Sequence, residues 1–409
     1  MNRRTFLAAL MATSLPFPAN ATQCRDGADN AQDVDWLITL MAARYAYLPD
    51  RHIDLEKLRR VYVAEAGAVC EPHAFLNVLE RFLGEFHDHH IEATVNNAHS
   101  PQLVPSGTDL WASMRSGRAT IEQVRPHSDA ARAGVRAGDG VVSIGGIAAA
   151  QAVAARTPRC LAAFDPEAND YALRVLLAGT HDADRAFAVR DGAGKIRPIV
   201  LRSFVPPQYD APLTARAIGA IGYIRVENSL GDGALVSAFD KALAQFDRAR
   251  ALILDLRNTP GGGNTDVAEP ILGRFIAAPA GYQRVFDPAP GKSAARDSWV
   301  RKVLPRGTTI HLPLAVLVDR WTASMGEGMA IGLDGMKRAT VIGTPMAGLC
   351  GATSDFLLPK SGIGVAFPTE RLYHLDGTPR EFWRPPVFID PAADGDDPVL
   401  AHAIAILDR

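Results

Sequence analysis

No stretch of this 409-residue chain holds the roughly 18 consecutive apolar residues that a membrane-crossing helix needs, which excludes a stable membrane span. A basic face is also missing. The 43 Lys and Arg against 45 Asp and Glu leave a formal net charge of -2, with both signs mixed along the chain. Nothing there tracks a phosphate backbone, so nucleic acid is excluded as a partner. Cysteine is scarce: the four present, Cys24, Cys70, Cys160 and Cys350, share no metal-ligand spacing. No helix-spaced His-Glu pair of the metallopeptidase kind occurs either, and no cofactor and no metal are expected. What is present, 47% hydrophobic and 22% charged residues, is enough for two or three packed domains and excludes a disordered tail.

The first residues, MNRRTFLAALMATSLPFPANA, combine Arg3 and Arg4 with an apolar run from Phe6 to Phe17 and small residues at Ala19 and Ala21. That pattern reads as an export signal, residues 1–21, cut after Ala21. Arg3-Arg4-Thr5-Phe6-Leu7 resembles the twin-arginine (Tat) signal, with an ordinary Sec signal as the alternative, and the expected location is the bacterial periplasm. In an oxidising compartment four cysteines allow three full pairings. Cys24 and Cys70 share the segment before the first glycine-rich region and are the expected disulfide, with Cys160 and Cys350 left as buried thiols.

Residues 30–98 read as a helical domain, most clearly in Phe75, Leu79, Phe82 and Phe86, which fall on one helical face. The polar stretch NNAHSPQLVPSG separates this from a region of short strands, ATIEQV, VVSIGG, RAFAV and RPIVL. Within it, TIEQVRPHSDAARAGVRAGDGVVSIGG resembles a PDZ domain of the bacterial type, over residues 106–204, with Gly134, Gly138 and Asp139 in its turns. That resemblance implies a groove that adds an extended ligand strand to a sheet edge. Beyond a linker at VPPQYDAPLT, residues 213–409 alternate strands (IGYIRV, ALILDLR, LAVLVD, ATVIGT) with helices over residues 233–248 and 324–334. This is an α/β pattern, so the fold class is a multidomain α+β chain.

VDRWTASMGEGMA sets Ser324 between an apolar strand and a helix start. A serine there is either an ordinary N-cap or a nucleophile, and the second role needs a base and oxyanion donors. ALILDLRNTPGGGNTD runs a buried strand into three glycines, whose backbone N–H groups are free of side-chain cover. It lacks the Gly-Lys-Ser/Thr ending of a phosphate loop. The alternative is an oxyanion hole formed by Gly261 or Gly262 together with the N–H of Met325, with the helix N-terminus favouring negative charge.

Together, the Asp-Leu-Arg-Asn strand, the Gly-Gly-Gly loop, Thr322-Ala323-Ser324 with Glu327 nearby, and VIGTPMAG resemble the tail-specific or C-terminal processing serine peptidases. The resemblance implies a crotonase-like ββα-superhelix catalytic domain with Ser324 as nucleophile. The best-known branch has a lysine where this chain has Leu349, and leucine cannot take a proton; Lys337 and Lys360 are the nearest lysines. The tricorn-like branch instead carries a histidine at the end of the helical domain, and FLGEFHDHHIEAT resembles it at Asp88-His89-His90-Ile91. By that likeness His90 is the base, titrating around 6 to 7 as an unperturbed imidazole does. His89 stands where that branch has serine and is a supporting candidate. Glu381, 57 residues past Ser324, is implied as the acid that orients the imidazole, with Asp376 and Glu370 as rivals. His87, Asp88, His89 and His90 could instead hold zinc, although adjacent histidines rarely reach one ion together.

Two functions compete. The first is an exported serine endopeptidase acting on peptides or protein tails through an acyl-enzyme, its substrates held by their C-terminus where the PDZ-like groove is used. The second is a catalytically inactive protein on the same scaffold that binds peptide or apolar ligand, the missing lysine marking lost catalysis.

Overall fold

The computed structural model describes residues 26–288, 292–390 and 397–409. The expected leader and Cys24 lie outside these. Cys70 is disulfide-bonded, and Cys160 and Cys350 are free and buried. Among the described residues no helix is long and apolar enough to cross a membrane.

Three helices open the chain, α1 (Gly27–Arg44), α2 (Leu55–Gly67) and α3 (Pro72–Gly84). Each starts at an acidic cap: Asp26, Asp54 and Glu71 accept from the N–H groups of Ala28, Lys57 and Ala74, filling donors that the first helical turn leaves open. The apolar face of α3 is buried as its spacing predicts, with Phe75, Leu79 and Phe82, and Phe86 just past the helix, at most 1% exposed. Their packing is not confined to the helices. The same core takes in Leu358, Ile363, Val365 and Phe367 from the C-terminal half. After α3 the chain turns through 85–91 into β1 (Glu92–Ala93), which pairs with a strand of that half. His90 is thereby delivered to the C-terminal domain by a strand pairing on one side and a hydrophobic core on the other.

The next unit contains β2 (Leu110–Arg115), β3 (Arg118–Val124), α4 (Asp129–Arg132), β4 (Gly140–Ile144), β5 (Ile147–Ala148), α5 (Ala149–Arg156), α6 (Pro166–Ala178), β6 (Arg185–Arg190) and β7 (Ile196–Leu201). Its antiparallel sheet has the order β2-β3-β4-β6-β7, with β5 on β4. Gly134 and Gly138 have φ of 78° and 91°, and Asp139 accepts from the Arg136 N–H at 3.0 Å, so these residues do build the turns. The strand pattern of this stretch gives no sign of the long helix α6, which the structure adds.

The C-terminal half contains β8 (Leu213–Ile218), β9 (Ile221–Val226), α7 (Ala234–Ala244), β10 (Ala251–Asp255), α8 (Thr265–Leu272), β11 (Ala280–Phe286), α9 (Ala294–Asp297) and β12 (Trp299–Val303). It continues through β13 (Leu314–Val318), α10 (Met325–Gly335), β14 (Thr340–Gly343), β15 (Ala352–Leu357), β16 (Gly364–Tyr373), β17 (Val387–Phe388) and α11 (Pro398–Leu407). One sheet runs β17-β14-β13-β10-β9-β8, parallel except for the β8–β9 pair. Its middle strands ALILD and LAVLV are buried at every position because cores lie on both faces. The second sheet, β1-β16-β11-β12 with β15 on β16, is antiparallel and joins the two ends of the chain. The whole is a mixed α/β, multidomain architecture.

Candidate active site

Ser324 ends the turn between β13 and α10 and is the one residue from 321 to 330 that is not buried. An ordinary serine cap is extended. Ser324 instead has φ 50° and ψ -109°, a conformation that a side-chain-bearing residue adopts only under constraint. The constraint has named parts. Glu327, one helical turn on and fully buried, accepts from the Ser324 N–H at 2.8 Å and from the N–H groups of Gly348 and Leu349 at 2.9 and 3.2 Å. Arg380, 3% exposed, donates to the Ser324 carbonyl at 3.2 Å and to the carbonyls of Leu349 and Gly351 at 2.9 and 2.7 Å. One carboxylate and one guanidinium therefore tie the serine turn to residues 348–351. Burial pushes the Glu327 carboxyl up to about 7, against the pull of Arg380 and the three N–H groups.

The glycine loop touches Ser324 from the other side. A Cβ on Gly262, at φ 63°, would lie 2.7 Å from the Ser324 Cβ and 3.2 Å from its Oγ. Only a residue without a side chain fits. The expected donors need correction, however. The Gly261 N–H donates to the Asn228 carbonyl at 3.0 Å and the Gly262 N–H to the Thr259 carbonyl at 3.1 Å, so both are already spent. Among the described residues the Met325 N–H, at the first position of α10, has no protein acceptor. It is an open donor next to Ser324.

His90 is bound to the same 348–351 segment. Its Nδ1 lies 2.6 Å from the carbonyl of Cys350, and its backbone N–H donates to Asp88 Oδ1 at 2.9 Å. Asp88 is held in turn by the Tyr45 hydroxyl at 2.8 Å. A carbonyl can only accept, so Nδ1 carries the proton and Nε2 keeps its lone pair. Burial, then the charge of Arg380, lowers the imidazole to about 4, below the expected range of 6 to 7. It is neutral around pH 7.

The other histidines diverge. His87 Nε2 pairs with Asp165 Oδ2 at 2.8 Å, while His89 stacks on Tyr171 at 4.6 Å with its Nε2 buried and unpartnered. Three rings with three separate partners do not converge on one ion. His89 therefore sits in the seam with α6, with the Trp111 ring centroid 6.5 Å from its own.

Glu381 lies beside the 348–351 segment and does not hold His90. Its backbone oxygen comes within 3.2 Å of where a Gly348 Cβ would stand, and its carboxylate accepts from the Tyr47 hydroxyl at 3.5 Å. Among the described residues it makes no hydrogen bond to His90, whose Nδ1 partner is the Cys350 carbonyl. Asp376 pairs with His374 at 2.9 Å, and Glu370 lies in β16. Leu349 is buried with Val104, Trp111, Ala323 and Ala347, an apolar packing position. Lys337 follows the far end of α10, and Lys360 pairs with Asp29 at 3.3 Å, so neither replaces the missing lysine. Glu327 carried a signal, the Ser-x-x-Glu spacing of a capping box. Arg380 and the Cys350 carbonyl carried none.

Residues 220–384 match peptidase family S41. Among solved structures, the fold is similar to that of mature CPAF, with TM-score 0.60 and 16% identity over 93% of this chain and 96% of that one. It is similar also to the photosystem II D1 C-terminal processing protease, with TM-score 0.59 and 19% identity over 93% and 97%. A protein from Parabacteroides merdae described as a peptidase matches with TM-score 0.50 and 15% identity over 93% and 96%. At such identities the likeness is one of fold.

Proposed function

We propose that this chain, a serine-type peptidase of family S41, cleaves peptides or protein tails through an acyl-enzyme formed on Ser324 with His90 as the base. The observation that carries the assignment is the His90 Nδ1 contact with the Cys350 carbonyl at 2.6 Å, in a segment that Glu327 and Arg380 also fasten to Ser324. A neutral imidazole with Nδ1 occupied offers Nε2 as acceptor. In the proposed reaction Ser324 Oγ attacks the scissile carbonyl carbon as its proton passes to His90 Nε2. The oxyanion is met by the Met325 N–H at the start of α10. Collapse breaks the C–N bond while the imidazolium returns the proton to the leaving amine, and a water molecule then repeats the sequence on the ester.

The orienting role expected of Glu381 passes on this reading to the Cys350 carbonyl, and Glu381 contributes negative charge at the cleft's border. The domains are read as helical (30–98), PDZ-like (106–204) and crotonase-like catalytic (213–409). Export to the periplasm is part of the proposal, supported by the disulfide at Cys70, which is at home in an oxidising compartment.

The test uses a fluorophosphonate probe on the mature protein. Wild type should be labelled, Ser324→Ala should not, and His90→Ala should label at least about a hundredfold more slowly, roughly 2.7 kcal/mol of transition-state stabilisation. Labelling that survives Ser324→Ala removes Ser324 as nucleophile, and His90→Ala within about threefold of wild type removes His90 as base.

A further inference from the structure

β2 and β7 are the two edges of the sheet in the unit read as PDZ-like, and β2, the edge beside α6, is where an added ligand strand would lie in a groove between strand and helix. Such a strand bonds to the backbone groups pointing outward. In this protein two of them are already taken by the helix alongside. The Met114 N–H donates to Asp170 Oδ1 at 2.6 Å, and the Ala112 carbonyl accepts from Arg174 Nε at 2.9 Å. Asp170 and Arg174 are one turn apart on α6 and pair with each other at 3.5 Å. In the turn leading into β2, which would have to receive a terminal carboxylate, three N–H groups are spent as well. Its Gly107 N–H donates to the Leu103 carbonyl, its Thr108 N–H to the Pro105 carbonyl, and the Leu110 N–H to the Thr108 hydroxyl, at 2.6, 3.3 and 3.2 Å.

The neighbouring strand faces the nucleophile. Arg320, four residues before Ser324, donates to Glu122 Oε2 at 2.7 Å and to the Met346 carbonyl at 3.0 Å. Gln123 accepts from the Thr344 hydroxyl at 3.0 Å, and Arg125 donates to Asn258, ahead of the glycine loop, at 2.6 Å. The Trp321 indole N–H donates to the Thr108 carbonyl at 2.9 Å. Trp111, 1% exposed, has the guanidinium of Arg174 at 4.4 Å and that of Arg320 at 4.9 Å from its ring centroid, and packs with Ala323 and Leu349. Both segments that shape the site, the serine turn and residues 344–349, are thus fastened to β2, β3 and the turn before them.

We propose that this unit is a fixed brace for the nucleophile turn, with Glu122 and Arg320 as positioning residues, and that its β2 edge takes no substrate strand because Asp170 and Arg174 occupy it. The brace half rests on the peptidase reading. The edge half does not.

Two measurements on the full chain decide it. In the first, peptides with free C-termini and their amidated counterparts are titrated against Ser324→Ala, alone and combined with Asp170→Asn or Arg174→Met. Equal affinity for the free and amidated forms in Ser324→Ala is the expected result. A free form bound at least about tenfold tighter, or made so by either α6 substitution, would overturn the closed edge in favour of a latched groove. In the second, fluorophosphonate labelling of Glu122→Ala should be slower than wild type by about tenfold or more, and Glu122→Gln, which keeps an acceptor for Arg320, should recover part of the rate. Labelling of both variants at the wild-type rate would overturn the brace, as would equal slowing of both in step with a lowered unfolding midpoint. If Glu122→Ala does not fold, the rate of Glu122→Gln alone decides, a slowing of about threefold at an unchanged midpoint supporting the brace and a wild-type rate overturning it. Absence of labelling in wild type would instead strike the peptidase reading itself, and the titration would still decide the edge.

Discussion

His90 is the base of the proposed reaction, and its charge state is fixed by neighbours on three separate elements. Burial lowers its pKa, Arg380 adds to the depression, and the contacts with the Cys350 and Gly351 backbone and the charge of Asp88 oppose it, with about 4 as the result. The sign follows from the charges: a cation beside an imidazole disfavours the second proton, so removing it raises the pKa. Activity requires the neutral ring, and kcat/KM should fall on acidification through a pKa near 4 in wild type. Arg380→Met should move that acid limb upward toward the ordinary imidazole value of about 6.5, whereas Arg380→Lys, which keeps the charge, should leave it low while reducing kcat. An unmoved limb in Arg380→Met would mean that Arg380 only holds backbone carbonyls. The same depression has a consequence for stability. A histidine kept neutral in the fold contributes stability that is present above its unfolded pKa and is lost as pH falls toward the folded value.

At the scale of elements, the site is the meeting of two turns at the ends of the parallel strands β10 and β13, which are neighbours in register. Ligand-binding crevices form outside such carboxyl ends because both following turns open on the same side. One turn gives Ser324 at a positive φ, the other Gly262 at φ 63° with no room for a Cβ. Alanine at 262 must accept a left-handed backbone, costing about 1–2 kcal/mol, and must also displace the serine. Gly262→Ala should therefore cut fluorophosphonate labelling by about a hundredfold or more, with the folded state retained in circular dichroism. Wild-type labelling in that variant would show that the serine turn tolerates a shift, against the close approach described above.

Across the whole molecule, the proposed reaction depends on a seam, because His90 and Ser324 come from distant parts of the chain. The seam is the core shared by the helices with β16, where Phe367 stacks on Phe356 at 4.7 Å and meets Tyr45 at 6.4 Å. Phe367 is fully buried, and truncating such a side chain costs about 3–5 kcal/mol. Phe367→Ala should lower the thermal midpoint and also slow labelling at temperatures where the protein is still folded, since Tyr45 and Asp88 steady the His90 segment. A lowered midpoint with an unchanged labelling rate would show that the pairing of β1 with β16 alone suffices to place His90.

The sequence by itself determined the local parts: the α3 face from its four- and three-residue spacing, the buried strands from their unbroken apolar runs, and the strand–turn–helix around Ser324. Short-range sterics and hydrogen bonding set these, and they leave a period or a turn residue to be read. The likeness to a family supplied His90, which no local pattern would have chosen over His87 or His89. Only the tertiary structure decided which of the three rings meets the 348–351 segment that Glu327 and Arg380 tie to Ser324, that a backbone carbonyl holds it in place of Glu381, and that Arg380 depresses its pKa. It also decided that Gly261 and Gly262 spend their amides on neighbouring carbonyls, and that α6 closes the edge of β2. The physical reason is common to all of these. A backbone carbonyl is the same group at every residue, and a charge acts through distance and burial, so neither leaves a mark in the one-dimensional pattern until packing brings the partners together.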